Sequence, residues 1–122
     1  MIKTVKGIKM KKIISYIRQE KADIVIEKLE EAGVKGMTLL DANALAEWAD
    51  KKAFSFSIEY VQKYSKVVKI ELICNNEDSD KLVKIISKYA RTGNSGDGWI
   101  FVSPVEQAVR IKTGAVNDFD NL

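Results

Sequence analysis

The feature that most constrains this chain is a strand–helix–strand pattern that occurs twice. Lys11 to Arg18 carries apolar residues on both sides and suits a central strand. Lys21 to Ala32 reads as a helix with Ile24, Val25, Leu29 and Ala32 roughly on one face, and Gly33 is a natural stop for it. Val34 to Leu40 begins a second strand. The order then recurs. Lys66 to Cys74 alternates, with Val68, Ile70, Leu72 and Cys74 on one side and Lys69, Glu71 and Ile73 on the other. Asn75 to Asp78 is a turn. Ser79 can cap a second helix that turns Leu82, Val83, Ile86, Tyr89 and Ala90 inward, and Gly93 ends it. Trp99 to Val102 is a fourth strand. Two β-α-β halves predict the α+β class: a ferredoxin-like βαββαβ sandwich, one sheet with both helices on one face. The other face keeps apolar positions and no element remains to cover it. Burial against other copies of the chain is the expected remedy.

The chain has 122 residues, which predicts a single domain. No apolar run approaches the ~20 residues that span a bilayer, so no membrane insertion is expected. No signal peptide is legible, and the lone Cys74 cannot form an internal disulfide, so the expected setting is cytoplasmic. The net charge is +3, but Lys3, Lys6, Lys9, Lys11 and Lys12 crowd one end. The 20 basic residues less these five leave 15 against 17 acidic ones, so the basicity reads as terminal rather than as a face of the domain. That argues against a nucleic-acid partner and leaves a solvated tail or a contact with an anionic partner. Residues 1–9 read as a basic extension before a domain at 10–122. There is no histidine, which removes Ser–His and Cys–His catalysis and His-ligated metal. Cys74 on an apolar strand reads as core rather than nucleophile. No paired carboxylates stand out, so neither catalytic residues nor a metal site are expected.

Ala90 to Gly114 carries the chemistry that remains. Gly93, Gly96 and Gly98 let the backbone take positive φ and expose its N–H groups, and such a turn can cradle an anion. Arg110 and Lys112, placed on one side by strand alternation, can reach the same anion from a neighbouring segment. Ser103-Pro104-Val105-Glu106 reads as a helix start, with Ser103 capping and Pro104 at the first helical position. Asp41 to Ser65 is the least legible part: Asp41 to Lys52 has helical composition, and Phe54 to Ile58 alternates like a strand.

The same stretch carries a family resemblance. Thr92-Gly93, Gly96-Asp97-Gly98, Ile100-Phe101-Val102, Pro104-Val105 and Val109-Arg110-Ile111-Lys112-Thr113-Gly114 together resemble the C-terminal signature of the PII nitrogen-regulatory signal proteins. Met10 to Ile14, Glu31 to Thr38 and Val67 to Glu71 resemble its first strand, its first helix end with the second strand, and its third strand. The likeness runs from about Met10 to Thr113 and is weakest from Leu39 to Tyr64. It implies a homotrimer whose sheets face a central axis. It also implies an adenine-nucleotide cleft between subunits, lined by Gly36, Met37 and Thr38 on one side. Gly96, Asp97 and Gly98 would hold the phosphates there, with charge from Arg110 and Lys112. Residues 41–65 would be the partner-binding T-loop. The alternative on composition alone is that the glycines merely turn and the cations are surface charges.

Departures from the family pattern redirect the ligand. Trp99 stands where a phosphate-reaching lysine is usual after Gly-Asp-Gly. Ala44 to Asp50 replaces a Gly-Phe-Gly-Arg-Gln-Lys-Gly run, so Glu47 takes the arginine position and would repel phosphate. Trp48 takes that of the glutamine that binds magnesium-linked 2-oxoglutarate. ADP or AMP is therefore expected over Mg-ATP, and 2-oxoglutarate is not expected. Trp48 and Trp99 either cover a base, close the cleft, or are simply buried in packing. Tyr60 aligns with a tyrosine that some members have uridylylated; aromatic loop packing is the other reading. The resemblance thus implies a non-enzymatic signalling protein that binds an adenine nucleotide and regulates a transporter or metabolic enzyme. The alternative is a trimeric interaction module without a ligand. A nucleotide-hydrolysing enzyme, the third reading, finds no base in the sequence.

Overall fold

The structure, a computed structural model, describes residues 9–50 and 64–119. The N-terminal extension up to Ile8, the Phe54–Ile58 strand reading, Tyr60 and most of the 41–65 loop therefore lie outside the described residues.

Four strands form one antiparallel sheet in the order β2-β3-β1-β4: β1 Met10–Arg18, β2 Thr38–Leu45, β3 Tyr64–Asn75 and β4 Trp99–Pro104. Helices α1 (Ala22–Glu31) and α2 (Ser79–Ala90) follow β1 and β3. This is the ferredoxin-like α+β arrangement. The register explains the core. Ile13 lies opposite Leu72 and Val102, Ser15 opposite Ile70 and Ile100, and Ile17 opposite Val68. Directly opposed residues share a sheet face. Ile13, Ile17, Val68, Ile70, Leu72 and Cys74 accordingly form one buried layer with Val25 and Leu29 of α1 and Leu82, Ile86 and Ala90 of α2. Burial pushes the Cys74 thiol up, and nearby Asp78 adds to it, as expected of a core cysteine rather than a nucleophile. Helix α1 stops where Gly33 takes φ +100°. The amides of Gly33 and Val34 donate to Glu30 and Leu29 at 3.0 Å, the double bond of a glycine C-cap.

Several local expectations are corrected. The second strand begins at Thr38, not Val34, and runs through Asp41 to Leu45, where helical composition suggested a helix. Pairing of Thr38–Leu45 along Tyr64–Glu71 overrides that propensity. Ser79 does not cap α2: a single 3-10 turn, Asn76–Asp78, precedes it, and Ser79 is the buried first residue of the helix. Ser103 and Pro104 end β4 instead of starting a helix, with Pro104 opposite Lys11. β4 is an edge strand, where a residue without an N–H is tolerated. Charged residues also lie along both helices. Lys81, Lys84, Lys88 and Arg91 are exposed along α2, beside exposed Asp23, Glu27, Glu30 and Glu31 on α1.

The second sheet face is open, as expected. Tyr16, Trp99 and Phe101 stand on it, and Trp48, from the 3-10 turn Ala46–Trp48 after β2, folds over them. Trp48 stacks on Phe101 with ring centroids 6.0 Å apart, lies 6.0 Å from Trp99, and meets Tyr16 edge-on at 5.9 Å. Lys69 sits over the Tyr16 ring at 5.8 Å and pairs with Glu71 at 2.9 Å.

Candidate functional site

The glycine-rich loop between α2 and β4 is shaped by glycine conformations and by one arginine. Gly93, Gly96 and Gly98 take φ of +87°, +96° and +100°, as their spacing predicted. Gly98 also has no room for a side chain: a Cβ there would lie 1.7 Å from the Tyr16 carbonyl oxygen. Asp97 points back into the loop. Its carboxylate accepts the amides of Thr92 and Gly93, both at 2.9 Å, and the Thr92 hydroxyl. Its other contact is Arg18 Nε, 2.9 Å from Oδ1.

Arg18, at the end of β1, is 8% exposed and was not singled out in the sequence. Its Nη2 donates to the Ser95 carbonyl at 2.7 Å, and its Nη1 donates to Asp50. Glu20 lies 3.9 Å from the same nitrogen. Burial works against the charged guanidinium, but Asp50 and then Asp97 outweigh it and raise its pKa. Burial likewise opposes ionisation of Asp97; the bonds from Thr92, Arg18 and Gly93 win and hold its carboxyl well below the usual carboxylate range. A signal for Arg18 was present: a cation directly after the apolar Ile13-Ile14 and Tyr16-Ile17 positions, at the inner end of a central strand, has to find a buried anion. Its partner Asp50 sits 32 residues away, so no local pattern identifies it.

A cavity of about 260 Å³ opens beside Gly98, walled by Tyr16, Ala42, Asn43, Ala44, Leu45, Trp48 and Val67. These lining residues include no cation. Trp48 and Trp99 pack on each other but stay 41% and 54% exposed, so the buried packing expected as one alternative is not what is found, and they leave this cavity open.

Within one chain the expected site residues are not gathered together. Gly36, Met37 and Thr38 line a separate cavity of about 610 Å³ with Met10, Cys74, Asn75 and Phe119. They lead into β2, one outer strand, whereas Gly96–Gly98 lead into β4, the other outer strand. Three strand spacings, roughly 14 Å, separate those edges. The segment carrying Arg110 and Lys112 is a small hairpin, bridged at Val109 and Val116, with the Asn117 amide donating to the Ala108 carbonyl at 2.7 Å. Arg110 accepts the Gly114 amide at 2.7 Å, so Ile111–Thr113 is a turn. This corrects the extended-strand reading that placed Arg110 and Lys112 on one side by alternation. Among the described residues no group of three or more Cys, Asp or Glu is placed to hold a metal ion, and no helix is long and apolar enough to cross a membrane.

An antiparallel βαββαβ sheet with both helices on one face and a braced glycine loop at the head of β4 defines a ferredoxin-like α+β domain. The chain belongs to a particular family within it: residues 10–115 match the model for nitrogen regulatory protein P-II. It is 39% identical over 105 residues to nitrogen regulatory protein P-II of Azospirillum brasilense, covering 86% of this chain and 94% of that protein. It is 40% identical over 109 residues to nitrogen regulatory protein P-II 2 of Methanothermobacter thermautotrophicus, covering 86% and 91%. The corresponding protein of Microchaete diplosiphon is 38% identical over 108 residues, covering 88% and 96%. The resemblance carried by the glycine loop and the Val109–Gly114 segment is thereby shown to be family membership.

Proposed function

We propose that this protein is a homotrimeric, non-enzymatic regulator that binds an adenine nucleotide between subunits and thereby alters its grip on a partner protein, a transporter or a metabolic enzyme. The observation that carries the reading is the loop itself. Three positive-φ glycines within six residues, Gly93, Gly96 and Gly98, surround Asp97, whose carboxylate bonds inward, so that its charge is satisfied by Arg18, Thr92 and Gly93 rather than aimed at a ligand. The residues present fit a nucleotide in outline. The Gly96–Gly98 backbone would face the phosphates, the aromatic-walled cavity beside Gly98 would take the ring, and Arg110, Lys112 and Gly36–Thr38 would arrive from a neighbouring copy.

The fit is poorer for a long phosphate chain. The cavity walls hold no cation and Trp99 follows Gly98 directly, so ADP or AMP should bind at least as well as Mg-ATP, and 2-oxoglutarate should add nothing. Calorimetric titration with AMP, ADP and Mg-ATP, with and without 2-oxoglutarate, tests this. Tight ATP binding strengthened by 2-oxoglutarate would refute the ligand choice. Arg110→Ala should weaken nucleotide binding roughly tenfold, given ~1.5–3 kcal/mol per charged hydrogen bond. The trimer rests on the open aromatic face of the sheet, where Trp48, Trp99 and Phe101 remain more than a third exposed. A monomeric mass by light scattering at micromolar concentration would overturn it. The second reading, a trimeric interaction module without a ligand, draws on the same cation-free cavity and predicts no heat with any of these nucleotides.

A further inference from the structure

The glycine-rich loop is tied to a distant stretch of chain in three independent ways. The first is ionic. A guanidinium has five N–H donors in a rigid fork, and Arg18 directs its fork to Asp97 and the Ser95 carbonyl within the loop and to Asp50 outside it. The second is steric. A Cβ on Gly96 would lie 2.7 Å from both Cα and Cβ of Asp50, so loop and Asp50 backbone are already in contact. The third is aromatic: Trp48, two residues before Asp50, packs on Trp99, the residue after Gly98, with centroids 6.0 Å apart. Asp50 itself is located by β3, because its amide donates to the buried Ser65 hydroxyl at 3.0 Å.

We propose that Arg18 and Asp50 form a clasp that positions the glycine-rich loop for an anionic ligand group and ties its shape to the chain segment that follows β2. The proposal rests on the reading of Gly96–Gly98 as a ligand cradle and adds positioning residues to that site. Arg18 is the pivot. It holds Asp97 in the orientation that organises Thr92 and Gly93, and it fixes the Ser95 carbonyl so that Gly96 enters the turn at one angle. Asp50 completes the set from outside. A guanidinium buried against Asp97 alone would keep a donor edge unfilled, and burial makes an unfilled donor costly. A change at residues 46–50 should therefore reach the loop through Arg18 together with the Gly96–Asp50 and Trp48–Trp99 contacts, and ordering of the loop by a ligand should act back on residues 46–50. That reciprocity is required of any coupling between two sites.

The test is hydrogen exchange on the full chain, unmodified and as Asp50→Ala, Asp50→Asn and Asp41→Asn. Asp50→Ala should speed exchange of the Ser95–Gly98 amides by about tenfold or more. The amides of Ile13 and Ile70 should be unaffected. Asp50→Asn keeps an acceptor without the charge and should fall between. Asp41→Asn, an exposed carboxylate on β2, should change nothing. Tryptophan emission should shift to the red in Asp50→Ala as Trp48 leaves Trp99. Loop exchange within about twofold of the unmodified protein in Asp50→Ala overturns the clasp. An ADP titration of the same proteins separates the two ideas. If the unmodified protein binds no ADP, the nucleotide reading fails and exchange alone decides the clasp. If ADP binds, Asp50→Ala should weaken it about tenfold; unchanged affinity with a loosened loop overturns the positioning role and leaves nucleotide binding standing.

Discussion

Gly98 lies against Tyr16 so closely that a single added carbon would overlap the Tyr16 carbonyl, at 1.7 Å. The contact joins the exit of the glycine loop to the middle of the central strand, and it exists only because residue 98 has no side chain. Gly98→Ala meets a backbone atom rather than a movable side chain, and it also forces alanine to φ +100°. A loss of about 3 kcal/mol or more is expected. Gly33 has the same φ with nothing within 4 Å, so Gly33→Ala should cost only about 1–2 kcal/mol. Chemical denaturation of both variants checks the difference.

Two buried serines should respond with opposite signs. Ser15 faces the core between Ile70 and Ile100, and its hydroxyl has no hydrogen-bond partner. Ser15→Ala removes an unsatisfied polar group and should stabilise by about 1 kcal/mol. Ser65 is also buried, but its hydroxyl accepts the Asp50 amide at 3.0 Å. Ser65→Ala should destabilise by about 0.5–1.5 kcal/mol. Thermal melts that move both proteins in the same direction would contradict the assignment.

Ala46 takes φ +55°, a left-handed conformation that costs an L-residue roughly 1–2 kcal/mol. Ala46→Gly relieves this and loses part of the gain to unfolded-state entropy. A net stabilisation of up to ~1 kcal/mol is expected. A clear loss of stability on denaturant titration would show that the Ala46 methyl supplies packing of its own.

Acid should weaken the loop brace only below the ordinary carboxylate range. The Asp97 carboxyl is held below its ordinary range by Thr92, Arg18 and Gly93 despite burial. A depressed native pKa gives stability that is fully present above the unfolded value, about 3.9, and is lost as pH falls below that toward the native value. Stability should therefore be insensitive to this group at neutral pH and decline below about pH 4. In Asp97→Asn the protein should start less stable and lose less over that window. Equal acid sensitivity of the two proteins, by denaturation at a series of pH values, would count against the brace.

Much of the fold was legible because burial imposes a period. Val68, Ile70, Leu72 and Cys74 alternate because β3 buries one face, and Leu82, Ile86 and Ala90 follow helical spacing because α2 lies on that face. Reading failed where pairing outweighed composition. Asp41 to Leu45 looks helical and is a strand, because Tyr64 to Val68 offers it a ladder. Pro104 looks like a helix start and ends an edge strand, because Lys11 is the residue opposite.

The site divides the same way. The turn is set by residue type alone: glycines at 93, 96 and 98 are the residues that reach positive φ without penalty, and such sterics are local. Family membership is likewise carried by the sequence, through the loop and the Val109–Gly114 segment. What holds the loop depends instead on long-range folding. Arg18, Asp50 and Asp97 come from three separate segments, and their meeting depends on β1, β2 and β4 being set in one sheet. A buried charge must find an opposite charge, but which one it finds is a matter of where the backbone carries them, and no spacing along the chain encodes a contact between residues 32 and 79 positions apart.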